Sequence, residues 1–349
     1  MSTPAYRHKK PDYQILIDGE DISIKIKPRL NSLTLIDKRG FEADTVDITL
    51  EDTDGLLALP RRGAQMQIFI GWTNEGLIDK GLYTIDEVEH SGAPDQLTIR
   101  GKSADVHAEF QKLREESWHN QPLLTILETI AQRNGLELVA DAELSSDPIE
   151  HLDQQNESDA ALLTRLAQDY DAFATVKQRK LLFMSAAQAK TASGEPLPKL
   201  TITRKSGDSH RFSIADRNAY TGVVAYWHDE KSGERKTVEV DGEEKGDREF
   251  LAGEAGNVKT LRHVYANARN AQRAAQSAWE KIQRGVASFN ITLAEGQPSA
   301  FPEMPVEVIG WKPEIDQAEW IITQIDHSLS DSGLVSTLQL EVNAAELGD

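Results

Sequence analysis

Alternation dominates the first hundred residues. Tyr13 to Ile17 alternates apolar with polar, Asp18-Gly19 has turn chemistry, and Ile22, Ile24 and Ile26 recur at period two until Pro28. Leu33 to Ile36 and Val46 to Leu50 predict two more strands around a turn at Asp37–Gly40. Beyond Gly63 come Met66 to Trp72, Tyr83 to Ser91 and Gln96 to Arg100, closing near Gly101. About seven short, evenly spaced strands with few helical signals predict a small barrel or sandwich.

The period then changes. Gln121-Pro122 opens a helix whose Leu123, Leu124, Leu127, Ile130 and Ala131 share one face, and Gly135 ends it. Leu136 to Val139 reads as a short strand. Ser158 caps a second helix carrying the stripe Leu162, Leu163, Leu166, Ala167 and Tyr170. Phe173 to Val176, a turn at Lys177–Lys180 and Leu181 to Met184 form a predicted hairpin. Together these make an α+β module. Residues 186–199 hold Gly194, Pro196 and Pro198 and few large apolar side chains, which suits a linker.

Strand character returns at Leu200 to Thr203, Ser209 to Ile214 and Tyr220 to Trp227. Residues 229–256 are charged and glycine-rich and read as an insertion or long hairpin. A long helix is predicted over 259–284, with Val264, Ala268, Ala271, Ala275, Ala278 and Ile282 in a narrow arc. Small residues there let a helix lie close to a sheet. Arg262, Arg269, Arg273 and Arg284 fall on the opposite face. A strand at Ala287–Leu293 follows.

The next stretch echoes an earlier one. Met304 to Trp311 ends in Ile-Gly-Trp, as Met66 to Trp72 does, and Trp320 to Ser328 ends in acid-His-Ser, as Tyr83 to Ser91 does. Gly71, Trp72 and His90 thereby match Gly310, Trp311 and His327, with spacers that differ by two residues. Each copy runs on into another alternating segment, which predicts a duplicated β unit. The alternative is two unrelated hairpins with similar ends. The resulting layout is an arm at 1–12, a first β-barrel domain at 13–105, the α+β module at 106–185, the linker at 186–199, a second β-barrel domain at 200–343 and a tail at 344–349.

Length suits two or three domains. No run approaches the roughly 18 apolar residues of a membrane-spanning helix, and Met1 to Lys10 holds no apolar signal core. With no cysteine, thiolate chemistry, disulfides and cysteine metal sites are excluded. A formal net charge of −19 argues against wrapping nucleic acid, since duplex binding depends on Lys and Arg neutralising phosphates.

No catalytic pattern stands out. There is no His-Glu-x-x-His, no phosphate-binding glycine loop and no Gly-x-Ser-x-Gly elbow. Asp208-Ser209-His210 has triad residue types, but three adjacent residues cannot supply triad geometry. His90 and His327 read as strand-end residues before ligands, and Trp72 and Trp311 as packing residues before sugar platforms. The four arginines read first as a solvated face and second as a dock for an acidic neighbour such as another subunit. Without interleaved aromatics, a nucleic-acid role for them is the weakest reading. No cofactor, metal or catalytic residue is assigned.

Residues in the module carry a family resemblance. Gln155-Asn156-Glu157-Ser158-Asp159, then Leu162-Leu163-Thr164-Arg165-Leu166-Ala167 and Lys180-Leu181-Leu182-Phe183, resemble the signature of the phage late control protein D family. Ser117-Trp118-x-Asn120 and Gly40-x-x-x-Asp44 fit it too. That family includes the baseplate tail hubs of Peduovirus-type contractile-tailed phages and the hub part of type VI secretion spike proteins. The resemblance spans about Tyr13 to Val342. One departure is Tyr170-Asp171-Ala172, where many relatives carry a glycine.

The resemblance implies a structural hub, not an enzyme, related in fold to that of T-even phages. It implies a homotrimer whose two related β-barrel domains alternate into a six-membered ring. Its implied partners are itself, the hexameric tail tube, the trimeric tail spike, and the tape measure and other baseplate proteins. DNA would only pass through the bore. The implied location is the virion tail tip, after assembly in the host cytoplasm, with the α+β module outside the ring. The net charge predicts an acidic bore. A tail-borne cell-wall hydrolase and a monomeric carbohydrate-binding β module are the competing readings.

Overall fold

The computed structural model describes residues 9–103, 108–141, 148–170, 172–177, 179–185, 198–214, 220–229, 232–241, 257–265, 267–284 and 287–342. Most of the predicted alternation is strand. The first part of the chain forms β1 (Pro11–Ile17), β2 (Glu20–Asp21), helix α1 (Ser23–Ile26), β3 (Leu30–Lys38), β4 (Thr45–Glu51), β5 (Gln65–Trp72), β6 (Gly76–Ser91) and β7 (Gln96–Ser103). The middle forms β8 (Leu113–Pro122), α2 (Leu123–Arg133), β9 (Glu137–Ala140), β10 (Pro148–Ser158), α3 (Asp159–Asp169), β11 (Ala172–Lys177) and β12 (Lys180–Ser185). The last part forms β13 (Leu200–Thr203), β14 (Gly207–Ile214), β15 (Gly222–Asp229), β16 (Glu234–Asp241), β17 (Val258–Tyr265), α4 (Ala268–Arg284), β18 (Ala287–Leu293), β19 (Pro305–Ile309), α5 (Pro313–Asp316), β20 (Trp320–Ser330) and β21 (Gly333–Val342).

The two ends of the chain share one pattern. Strand order is β3-β4-β7-β6-β5-β1 in the first half and β14-β18-β21-β20-β19-β13 in the second. Two of the ladder irregularities coincide as well. The β3–β4 ladder slips between Leu30 and Ser32, and the β14–β18 ladder slips between Gly207 and Ser209. The β6–β7 ladder slips between Ile85 and Glu87, and the β20–β21 ladder between Ile322 and Gln324. A bulge re-aims every side chain beyond it, so matched bulges keep matched residues on matched faces. One edge differs: β1 is antiparallel to β5, whereas β13 is parallel to β19.

Each half wraps its own core. In the first, Ile15, Leu35, Ile48, Ile68, Ile85 and Ile99 come from six different strands and are all buried in one cluster. In the second, Ile202, Phe289, Val306, Trp320, Ile325 and Leu338 come from five strands, two of them from β20, and are likewise buried in one cluster. Alternation drives this, because only one side of each pleated strand can face the core. Burying each such side chain contributes about 2 kcal/mol.

The expected pair of closed barrels is not what forms. No closed barrel occurs among the described residues; the halves instead join into one 13-stranded sheet. The link is an antiparallel ladder between β3 and β20, running from Gln324 opposite Lys38 to Ser330 opposite Ser32. The edge that β3 needs for closure on its own half is already taken by the other half.

Two further local expectations are corrected. Ile22 to Ile26 does not continue as a strand: α1 intervenes, Ile26 is buried and Ile24 is 87% exposed. Ser23 explains this, since its backbone N–H and hydroxyl both bond Asp21 Oδ1 and favour a turn. Nor is 259–284 one helix. Val258–Tyr265 is β17, parallel to β15, and α4 begins only after Asn267, whose Oδ1 accepts from Asn270 N at 2.8 Å. Thr260, Val264 and Tyr265 favour the pleated sheet, and a helical wheel hid that.

Ala271, Ala274 and Ala275 let α4 lie against Val223 and Ala225 of the β16-β15-β17 sheet. This layer occupies the link between β14 and β18, where the first half has only a turn between Lys38 and Thr45. Within the charged segment at 229–256, Glu234–Asp241 is an ordinary hairpin strand on β15, and 242–256 lie outside the described residues. Residues 186–197 of the expected linker, most of the N-terminal arm and the tail also lie outside them.

The module follows its expected helices closely. Ser158 Oγ accepts from Ala161 N, and Gly135 ends the α2 turn at φ +67°. Asp159 is 0% exposed and gathers the module's polar contacts. Arg133 Nε donates to it at 2.8 Å, and Asn134 Nδ2 and Gln154 Nε2 each donate at 2.9 Å. Replacing Asp159 with Ala leaves those donors facing an apolar interior. The expected loss is about 3 kcal/mol in a denaturant titration; a loss within about 1 kcal/mol contradicts this role for the carboxylate.

Candidate functional site at the joint between the repeats

Of the residues matched by the duplication, His327 lies on the β3–β20 ladder that joins the two halves, and Trp72 reaches across to the second half. Arg39 follows β3 directly. Its backbone N–H donates to Thr323 O at 3.2 Å, and its guanidinium pairs with the carboxylates of Glu303 and Glu341. Burial opposes the guanidinium charge, but the two carboxylates outweigh it and raise its pKa above the usual arginine value. The next residue, Gly40 (φ +82°), turns its carbonyl to Thr175 Oγ1 of β11 at 2.6 Å. Phe41 packs against Phe110 with ring centroids 5.4 Å apart. One turn therefore holds the first half to both the second half and the module.

Lys80 bridges the halves from the other side. Its ammonium donates to Pro298 O at 3.3 Å and Ala300 O at 3.4 Å, and stands 4.0 Å from Asp37. The β20–β21 hairpin completes the joint. Leu329 and Leu334 from that hairpin are buried in the first half's core.

The matched residues have different environments. Trp72 is buried at the end of β5, and its indole N–H donates to Gly296 O of the other half at 3.1 Å. Trp311 lies beyond β19, half-buried among its own half's Phe289 (5.5 Å) and His210 (5.9 Å), with the Arg204 guanidinium 5.6 Å from its ring centre. Gly71 is needed because a Cβ there would meet Gly76 O at 2.0 Å. Gly310 is needed because its φ is +99°.

The histidines diverge most. His327 is 1% exposed, with Nδ1 2.8 Å from Ser336 Oγ. Burial, with the Lys80 ammonium nearby, holds its pKa well below the ordinary imidazole value. His90 holds the same place on β6, yet its side chain is 43% exposed, with Nε2 3.3 Å from Asp52. The difference has a simple source. Strand β3 covers the β20 edge beside His327, while among the described residues no strand pairs with β6 beside His90.

Arg262 does not share the helix of the other three arginines, whereas Arg269 and Arg273 stand one turn apart on α4. Arg262 is exposed on strand β17, and Arg269 is exposed on α4. Arg273 stacks its guanidinium 3.8 Å from the Tyr170 ring centre. The Arg284 side chain lies outside the described residues. The acidic neighbour of Arg273 belongs to its own chain: Asp169, at the end of α3, which also accepts from Tyr265 Oη at 3.4 Å. Burial pushes the Asp169 carboxyl above its usual range, and Arg165, His263 and Arg273 oppose that shift.

One cluster escaped the sequence reading. His119 and His151 stand opposite each other on β8 and β10, with Nδ1 atoms 3.0 Å apart and rings stacked at 4.7 Å. Asp153 accepts from Ser117 Oγ at 2.6 Å and meets His151 Nε2 at 3.0 Å. Cross-strand pairing is the signal that would have found it, and the sequence does not show register between distant strands. Among the described residues, no group of three or more His, Asp or Glu is arranged to hold a metal ion.

Comparison with known proteins bears on this architecture. The family model described as phage tail baseplate hub (GPD) matches residues 38–333. The chain is 44% identical to the probable baseplate hub protein of Escherichia phage 186, over 99% of this chain and 97% of that one. It is also 44% identical to the probable baseplate hub protein of Escherichia phage P2, over 97% and 94%. Among solved structures, the 43 kDa tail protein of prophage MuSo2 from Shewanella oneidensis aligns at TM-score 0.68 and 14% identity, over 97% and 99% of the two chains. The Escherichia coli c3393 protein, a type VI secretion component described as similar in structure to the T4 tail proteins gp27 and gp5, aligns at TM-score 0.58 and 13% identity, over 97% and 78%.

The buried His327 makes stability depend on pH. Its pKa is low in the folded chain and ordinary in the unfolded one, so between those values the unfolded chain binds the extra proton. Stability is therefore lost as pH falls below about 6.5, by up to about 1.4 kcal/mol per pH unit for this group. Thermal melts between neutral and mildly acidic pH should show this loss, and His327→Gln should flatten it. An unchanged slope in the variant contradicts the assignment.

Proposed function

The chain belongs to the phage tail baseplate hub family, and from that premise we propose that it works as a homotrimeric symmetry adaptor. Three chains, each with two β units of the same strand order, supply six similar units around one axis. The ring joins a hexameric tail tube on one side to a trimeric spike on the other. Closed point-group symmetry favours this solution, because one chain type then satisfies both a threefold and a sixfold neighbour.

The observation that carries the reading is the repeated strand order, with its coincident bulges, joined through the single β3–β20 ladder. A rigid joint suits a part that transmits force from a contracting sheath to a spike. The ladder, Arg39 between two carboxylates and Lys80 across the halves give that rigidity. The module and the β15–β17 layer, which meet through α3 and α4, would lie outside the ring and face other baseplate proteins and the tape measure. Assembly in the host cytoplasm and a final place at the virion tail tip follow from the same reading.

The net charge of −19 supports a bore that DNA traverses without adhering, since like charge repels the duplex. Native mass spectrometry of the purified chain is expected to give a trimer, and a strict monomer across a concentration series overturns the ring. In a cryo-EM structure of the trimer, the lumen is expected to be lined by Asp and Glu. A basic lumen overturns the proposed non-adhesive bore.

A further inference from the structure

The asymmetry between His327 and His90 points to a missing neighbour. In the second half, the β20 segment Gln324–Ser330 takes β3 as its partner. The matching segment of β6, ending at Ser91, pairs with β7 on one side. On the other side, β5 pairs with β6 only as far as Thr84. The strand matching β3 is β14, which pairs with β18 and, among the described residues, with no strand on its other edge. Each chain thus carries one satisfied joint and two halves of an unsatisfied one. Exposed strand edges of this kind are templates for another strand.

We infer that the contact closing one protomer onto the next is an antiparallel ladder between β6 at Val88–Ser91 and β14 at Arg211–Ile214 of a second copy. It would be the counterpart, between chains, of the β20–β3 ladder within one. This rests on the ring reading above and names the surface that makes the ring.

The matched bulges specify the register. His90 corresponds to His327 and Phe212 to Leu35, and Leu35 stands opposite His327 within the chain. Carrying that register across places His90 opposite Phe212, Val88 opposite Ile214 and Ser91 opposite Arg211.

The side chains suit this arrangement. Ile214 is 47% exposed at the end of the unpaired β14 edge, and it would lie against half-buried Val88. His90 would gain an apolar cover in Phe212, as His327 has in Leu35. Arg211 would lie diagonal to Glu89 on one face of the sheet, within reach for a long side chain. Glu89 shares one guanidinium, that of Arg100, with Asp47 and Glu87, so the β6 edge keeps a negative excess for Arg211 to meet.

The absence of cysteine makes the register testable. Residues directly opposite across a ladder have Cα atoms about 4.5–5.5 Å apart, inside the usual disulfide span of about 4.4–6.8 Å. The full chain carrying Val88→Cys and Ile214→Cys, mildly oxidised, is expected to give reducible covalent species ending at three chains. Val88→Cys with Arg211→Cys, three positions out of register, is expected not to link. Thr34→Cys with Ser328→Cys, opposite each other in the existing ladder, is the folding control and links within one chain. A native trimer without the 88–214 disulfide overturns this edge pairing and leaves the ring standing. A monomer without it overturns both, and efficient linking of the out-of-register pair overturns the register.

Discussion

The structure depends on one strand edge being given away. Strand β3 lies at the margin of the first half and pairs with β20 of the second instead of closing its own half. Backbone N–H and C=O groups must find partners when removed from water, and a strand has only two edges to offer. Once β3 is committed to β20, the first half stays open and the two halves form a continuous sheet; among the described residues, β14 and the far end of β6 are left with an edge that no strand covers. The polar contacts around the joint reinforce that choice. Arg39, Lys80 and Trp72 each bind the opposite half, and Gly40 binds the module.

This arrangement gives the family signature a physical meaning. Within Gln155–Asp159, Ser158 caps α3 and Asp159 collects Arg133, Asn134 and Gln154 below the surface. Gly40 and Asp44 shape the turn that the joint and the module share: Gly40 supplies the positive φ, and Asp44 Oδ1 accepts from Lys38 N at 3.0 Å. These residues organise a scaffold. Among the described residues, buried polar groups such as Asp159 and Gln154 hold elements of the scaffold together.

The strands were legible wherever alternation was strong, because one buried face is enough to impose period two. Legibility failed where the deciding partner lay far along the chain. Ile22 to Ile26 kept its alternation but lost the strand to the Ser23–Asp21 turn. Residues 259–265 satisfied a helical wheel but were claimed by β15, remote in sequence and parallel in the sheet. Arg262 left the arginine stripe for the same reason, since Arg262 and Arg273 belong to different elements. The His119–His151 pair was invisible because it exists only through the register of β8 on β10.

The duplication itself was determined by sequence alone. The acid-His-Ser segments follow the same bulge on matching strands, whereas the Ile-Gly-Trp segments part at glycine, which is strand at Gly71 and has φ +99° at Gly310. What the copies do with those residues was decided by tertiary structure. Trp72 reaches across to Gly296, while Trp311 stays within its own half. His327 is buried on β20 with β3 paired beside it, and His90 is partly exposed. Alternation and matched bulges specify the strand pattern of both copies, but burial depends on what lies beside each strand, and within one chain β3 covers the edge beside His327 while no described strand covers the edge beside His90.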